Sequence, residues 1–265
     1  MNIPILMYHE IIDKVPSLEL SRKIQRSYLV SKNDFEEQVA YLKERGYHTI
    51  DLHDVTDAPG KEKKIIGKPI AITFDDGYEG NYLYALPILK KYNAISTFFI
   101  TVGMVGKSCM LSWAQAYEMK KEGMSIQSHT VSHPLLTAIT PREVECELLN
   151  SKLIIEEKMG SVVDFISYPN GDYNSAVMAH VRKAGYEGAC SSEFGFNSLG
   201  SDGFALRRIK IPNSFSIRDF GKILDNNWKT CFFLTGKDLV FHSVRGLVGS
   251  KNYEKIYSKI FDLKE

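Results

Sequence analysis

Only four cysteines occur in the 265 residues, at positions 109, 146, 190 and 231, and no two form a Cys-x-x-Cys pair. That spacing excludes a zinc ribbon and a disulfide framework, and leaves reduced, individually buried thiols as the expectation. An excess of charge of one sign is also lacking: 33 Lys and Arg against 32 Asp and Glu leave a formal charge of +1. No global field therefore recruits nucleic acid or an anionic membrane, and neither is expected as a partner. No apolar run reaches the roughly 18 residues that span a bilayer. The opening Ile3-Pro4-Ile5-Leu6-Met7-Tyr8 has no basic segment, long apolar core or small-residue cleavage site, so a cytoplasmic location is expected for the sequence as it stands. Repeats, low-complexity segments and linkers are missing too, which predicts one domain over 1–265. Its 44% hydrophobic content suffices for a core.

What is present is an alternation of apolar runs and amphipathic stretches. Strands are predicted at Ile3–His9, Tyr47–Ile50, Ile70–Phe74, Ile95–Thr101, Met124–Ser128, Phe165–Tyr168, Tyr186–Ser191, Arg208–Ile211 and Leu239–Val244. Between the first two lies a polar loop to about Val30, then a helix that Ser31 and Asp34 open and Gly46 closes. Helices are also predicted over Asp51–Asp57, Tyr82–Tyr92, Trp113–Glu122, Ser175–Ala184, Ile217–Leu224 and Tyr253–Leu263. The clearest begins at Thr140-Pro141, with Glu143 completing a capping box and Gly160 ending the run. Some eight strand–helix units over this length suggest a (β/α) barrel or a doubly wound sheet. His9, Asp75, Asp76, His129, Tyr168 and His242 all fall at or just after predicted strand ends, which favours the barrel, whose functional rim lies there.

Two groups of residues carry chemistry. The run Ile70–Phe74 ends in Asp75-Asp76-Gly77. Neighbouring strand residues face opposite ways, so the two carboxylates are expected to hold separate roles, one on a metal and one on a proton. In Ser128-His129-Thr130-Val131-Ser132-His133-Pro134 the histidines stand at i,i+4, which in a helical turn points both imidazoles one way. With one carboxylate they form a two-histidine, one-aspartate set for a divalent metal. Zinc is the default, and cobalt, nickel, manganese or iron suit the same ligands. His48, His53 and His180 have no acidic or histidine partner at telling spacing and receive no role.

Together, Thr73-Phe74-Asp75-Asp76-Gly77 and His129-x-x-x-His133 resemble the first two motifs of the polysaccharide deacetylases, the NodB-homology or carbohydrate esterase family 4 enzymes. Pro4-Ile5-Leu6-Met7-Tyr8-His9, Tyr168-Pro169-Asn170-Gly171-Asp172-Tyr173 and Arg208-Ile209-Lys210-Ile211 resemble the branch acting on poly-N-acetylglucosamine-type exopolysaccharides. The resemblance implies a distorted α/β barrel of about seven parallel strands. It also implies metal-dependent hydrolysis of N-acetyl groups from N-acetylhexosamine residues of a glycan or glycan precursor. By the same resemblance Asp75 is the base, Asp76, His129 and His133 are the metal ligands, and the Asn170 backbone N–H receives the oxyanion.

The sequence departs from that pattern at two places. Ser167 stands where the family's third motif has arginine, and Arg207 or Arg208 is the candidate to restore the charge beside Asp75. The family's late Leu-x-His motif has its nearest match in Leu239-Val240-Phe241-His242, so His242 is the candidate acid for the leaving amine and His9 its rival. Tyr168, Pro169, Gly171, Tyr173, His9 and Arg208 are the expected substrate-binding residues. Tyr8, Tyr78 and Trp113 join Tyr168 and Tyr173 as aromatic faces for a sugar platform or for rim packing. The altered arginine and offset histidine also allow a metal-containing barrel that binds glycan without turnover. The same site could instead deacylate a lipid-linked sugar or another non-polymeric amide. Oligomeric state is not legible.

Overall fold

The computed structural model describes residues 2–13, 26–56, 67–199 and 201–225. In chain order the strands are β1 (Ile5–Tyr8), β2 (Glu10–Ile12), β3 (Leu29–Ser31), β4 (Tyr47–Thr49), β5 (Lys68–Phe74), β6 (Thr97–Ile100), β7 (Ser125–Ser128), β8 (Phe165–Ser167), β9 (Gly188–Phe194) and β10 (Leu206–Lys210). Seven of them, β1 and β5 to β10, form a ring in the order β1-β10-β9-β8-β7-β6-β5, closed by β5 on β1. Every pairing in the ring is parallel, with Leu6 opposite Ile209 on one side and Ile5 opposite Ala71 on the other. β4 adds to the start of β5, Tyr47 pairing Lys68. This is the expected barrel, and closure leaves the ring without an exposed edge.

Alternation along each strand builds two cores. Ile5, Ala71, Phe99, Phe165, Cys190 and Leu206 pack together in the lumen. Leu6, Ile72, Phe74, Phe98, Ile126, Ile166 and Ile209 join the larger layer between barrel and helices. Each such buried side chain contributes about 1.5–3 kcal/mol. Thr73 and Asp75 continue the inward set that Ala71 begins, so the strand itself directs Asp75 into the barrel.

The long helix Pro141–Met159 has the predicted capping box: Thr140 Oγ1 accepts from the Glu143 N–H and the Thr140 N–H donates to Glu143 Oε2. Gly160 closes it at φ 60°. Ser31 likewise caps the helix Lys32–Glu44. Pro87 is tolerated because it falls in the first turn of the helix Leu86–Lys91, behind a π turn at Asn81–Ala85.

Three expectations change. The region read as loop up to Val30 includes β2 and β3, which pair with each other in parallel; three-residue strands are too short for a period to show. His129–His133 is not helical, since Thr130 and His133 take left-handed φ of 67° and 59°. Of the described cysteines only Cys190 is buried; Cys109 is half-buried and Cys146 is exposed. Cys231, His242 and the elements predicted at 239–244 and 253–263 lie outside the described residues. Among the described residues no helix is long and apolar enough to cross a membrane.

Candidate active site

Asp75 follows β5 at the C-terminal end of the barrel and faces Arg208 of β10. The pair is bidentate, Arg208 Nη1 donating to Asp75 Oδ1 at 2.8 Å and Nη2 to Oδ2 at 2.7 Å. Arg208 is 1% exposed. Its remaining donors reach the Ser191 carbonyl at 2.8 Å, Ser167 Oγ at 2.8 Å and Thr73 Oγ1 at 3.3 Å. All five N–H groups are thus committed inside the protein, the fork geometry that lysine could not reproduce. Ser167 Oγ also donates to Asp75 Oδ2 at 3.1 Å.

The arginine absent at position 167 is therefore supplied by β10, and the serine in its place links acid and base. The expectation that Arg208 contacts substrate is corrected: it is enclosed, while Arg207 points outward near Glu193 at 3.9 Å. Burial raises the Asp75 pKa, but the guanidinium charge overrides it and holds the carboxyl below its usual range.

Asp76 leaves the strand at φ 72°, a left-handed conformation for a non-glycine residue. Its Oδ1 lies 3.4 Å from His129 Nε2 and 3.5 Å from His133 Nε2. One ligand atom from each residue falls within 4.8 Å of the others. Neighbouring ligands in a tetrahedral zinc site are about 3.3 Å apart, given bonds near 2.0–2.1 Å, so the three donors fit such a cation. His129 Nδ1 contacts the Ser167 carbonyl at 2.8 Å, which fixes the ring and turns Nε2 toward Asp76.

Burial would raise the Asp76 pKa, yet hydrogen bonding to His129 and the charges of His9, His129 and His133 hold it low. For His129 the burial penalty is overcome by Asp75 and Asp76, raising its pKa, whereas burial and the His129 charge lower that of His133. Four of the six left-handed non-glycine residues described are Asp76, Thr130, His133 and Asn170, so backbone strain concentrates at this rim.

The turn after β8 brings Asn170 to the surface at φ 55°. Gly171 packs so closely that a Cβ there would lie 2.7 Å from Ser192 Cβ. Tyr168 is 0% exposed and its hydroxyl donates to the Phe204 carbonyl at 3.0 Å. Pro169 and Gly171 are also buried, so of Tyr168, Pro169, Asn170 and Gly171 only Asn170 is exposed at this turn. Tyr173 is half-buried, stacks on Tyr168 at 4.7 Å and donates to Glu193 at 2.8 Å. Tyr8 belongs to the core, and Trp113 packs at its margin.

His9 packs on Tyr28 with the rings tilted by 35° and their centroids 4.0 Å apart, and Lys210 Nζ lies 3.9 Å from the centre of the same Tyr28 ring. Burial pushes the His9 pKa down to about 4 against the pull of Asp76 and Asp75, leaving it neutral near pH 7. Tyr28 carries no sequence signal, because it belongs to no motif or period, and Lys210, although part of the Arg208–Ile211 run, receives no role there.

At the opposite end of the barrel, His53 contradicts its reading as a residue without acidic partners. Its Nδ1 lies 2.6 Å from Asp51, and Nε2 lies 3.1 Å from Asp164 and 3.7 Å from Glu187. The hydrogen bond to Asp51 outweighs partial burial and lifts its pKa to about 9. Asp164 and Glu187 precede β8 and β9, so the cluster ties the segment after β4 to the strand starts.

Titratable side chains gather where the strands of this parallel barrel end, the rim at which barrel enzymes carry their active sites, and the sequence comparisons name the family. The chain belongs to the polysaccharide deacetylases, hydrolases that cleave amide C–N bonds. The polysaccharide deacetylase family matches residues 62–189. YxkH of Bacillus subtilis (strain 168), whose name places it provisionally in that family, is 33% identical over 225 residues, 85% of this chain and 77% of its own. A poly-beta-1,6-N-acetyl-D-glucosamine N-deacetylase of Staphylococcus aureus (strain MSSA476) is 29% identical, covering 73% of this chain and 71% of that protein. The solved Streptococcus pyogenes deacetylase PplD, in complex with acetate, superposes with a TM-score of 0.74 at 30% identity. It covers 87% of this chain and 98% of its own.

Proposed function

We propose that the protein is a metal-dependent N-deacetylase acting on N-acetylhexosamine residues of a glycan or glycan precursor. The observation that carries this is the adjacency of two separately equipped carboxylates, Asp75 on Arg208 and Asp76 on the paired imidazoles. Asp76, His129 and His133 would hold a divalent cation, zinc by default. Bound there, the cation would supply Lewis-acid polarisation of the acetamide carbonyl and a more acidic water. Asp75 receives the proton of the attacking water; Arg208 keeps it ionised and Ser167 orients one oxygen. By the family resemblance the Asn170 backbone N–H, in its left-handed turn at the rim, is the donor for the developing oxyanion. The proton for the departing amine belongs to His242, with His9 its rival. The 29% identical poly-beta-1,6-N-acetyl-D-glucosamine deacetylase supports a β-1,6-linked glucosamine polymer as substrate.

Arg208 removes the main reason for reading the barrel as a binder without turnover, because the charge beside Asp75 is supplied. The test measures bound metal, then acetate release from β-1,6-linked N-acetylglucosamine oligomers and chitooligosaccharides. Asp75→Asn is expected to keep the metal and lose about 10²–10⁴-fold in kcat. Unchanged turnover in that variant, or a wild-type protein that takes up no metal, would overturn the reading.

A further inference from the structure

Between His129 and His133 the chain makes a turn that its own residues do not favour, with Thr130 at φ 67° and His133 at φ 59°. Neither residue adopts that conformation without outside support. One side of the turn is held from the segment after β6: the Val102 N–H donates to the Thr130 carbonyl at 3.1 Å and the Gly103 N–H to the Val131 carbonyl at 2.8 Å. Gly103 is required for that approach, since a Cβ would lie 2.7 Å from the Val131 oxygen. The other side is held by one carboxylate from the helix Pro141–Met159. Glu147 Oε2 accepts from the Val131 N–H at 2.8 Å and the Ser132 N–H at 2.9 Å, and Oε1 accepts from Ser132 Oγ at 2.7 Å.

One helical turn later, Ser151 accepts a hydrogen bond from Ser128 Oγ at 2.8 Å, and Ser128 Oγ in turn accepts from the Thr130 N–H at 3.2 Å. Two residues on one face of this helix therefore fix the peptide groups on both sides of Thr130. We propose that Glu147 is a positioning residue for the metal centre: it sets the separation and aim of His129 and His133 and hence their affinity for the cation. This rests on the metal reading above. Glu147 lies 14 residues beyond the second histidine, between the buried Val144 and Leu148 of an amphipathic helix and outside every motif, so only the packing reveals it.

The experiment compares Glu147→Ala with Glu147→Gln, titrating apo protein with zinc against a chromophoric chelator and recording the Tm of the apo form. Glutamine conserves the contacts, because Oε1 can accept both N–H groups while Nε2 donates to Ser132 Oγ. Glu147→Ala is expected to weaken zinc binding about 10–100-fold, as loss of an outer-shell partner does, and Glu147→Gln to stay within a few-fold of wild type. A residue with only a structural role would lower the apo Tm and leave zinc affinity unchanged, which would overturn the proposal. So would Glu147→Gln binding as weakly as Glu147→Ala. If Glu147→Ala does not fold, Glu147→Asp, which withdraws the carboxylate by one methylene, must show the weakened affinity or the proposal fails. A wild-type chain without zinc affinity sinks the metal reading, and this inference with it. Wild-type affinity retained by folded Glu147→Ala sinks the inference alone.

Discussion

Replacing Arg208 with methionine keeps an unbranched apolar stem and removes five hydrogen bonds of 2.7–3.3 Å, two of them to Asp75. What remains is a carboxylate in the barrel lumen without its counter-charge. Breaking a buried pair from one side costs about 3–5 kcal/mol. For a chain of this size that corresponds to a fall in Tm of roughly 6–20 °C.

The loss should depend on pH in a definite direction. In the native protein the Asp75 pKa is depressed below 3.8, so its contribution to stability is present above that value and is lost as pH falls through the folded pKa. In the variant the largest opposing charge is gone and only His129 and His9 still counter burial, so the folded pKa is expected to rise and the ionised carboxylate to oppose folding above 3.8. The deficit against wild type should be full at pH 7 and shrink toward pH 4. Urea unfolding at the two pH values measures it, and adding Asp75→Asn to Arg208→Met should recover much of the loss at pH 7. An equal deficit at both pH values, or none, would refute the argument that the guanidinium serves to keep Asp75 charged.

Two further outcomes follow from the same physics. Gly171→Ala meets both a left-handed φ of 63° and a Cβ position 2.7 Å from Ser192 Cβ; a loss of about 1–3 kcal/mol is expected by chemical denaturation, with a larger fall in kcat than Tm suggests because Asn170 is displaced. His53, with a folded pKa of about 9, contributes stability fully below pH 6.5 and loses it as pH rises through 9. Its side chain is 42% exposed, so solvent screening limits the contribution to under about 1 kcal/mol. His53→Gln should therefore flatten the stability profile between pH 7 and 9.5, and an unchanged slope would show that the cluster carries no coupling.

Much of the frame was legible in the chain because it rests on local rules. Thr140, Pro141 and Glu143 announce a helix start wherever they stand in this order. The β-branched run before Asp75 announces a strand buried on both faces. The adjacency of Asp75 and Asp76, together with the spacing of His129 and His133, likewise marked the candidate site. The sequence could not give the form of the histidine turn. An i,i+4 spacing fits a helix, but the hydrogen bonds donated by Val102 and Gly103 and those accepted by Glu147 hold left-handed residues there. Nor could it show His53 as part of a cluster, since Asp164 and Glu187 are more than 100 residues away.

By itself, then, the sequence determined the alternation of strands and helices, the opposite facing of Asp75 and Asp76 and the residue types able to hold a cation. These depend on periodicities of 2 and 3.6 and on side-chain chemistry, which travel with the chain. Tertiary structure alone decided which arginine faces Asp75. Arg207 and Arg208 are adjacent and chemically equal, and only the register of β10 against β1 and β9 turns one into the lumen and the other to solvent. The same closure brings Ser167 between Arg208 and Asp75, so a position that looked like a loss in the sequence became part of the link.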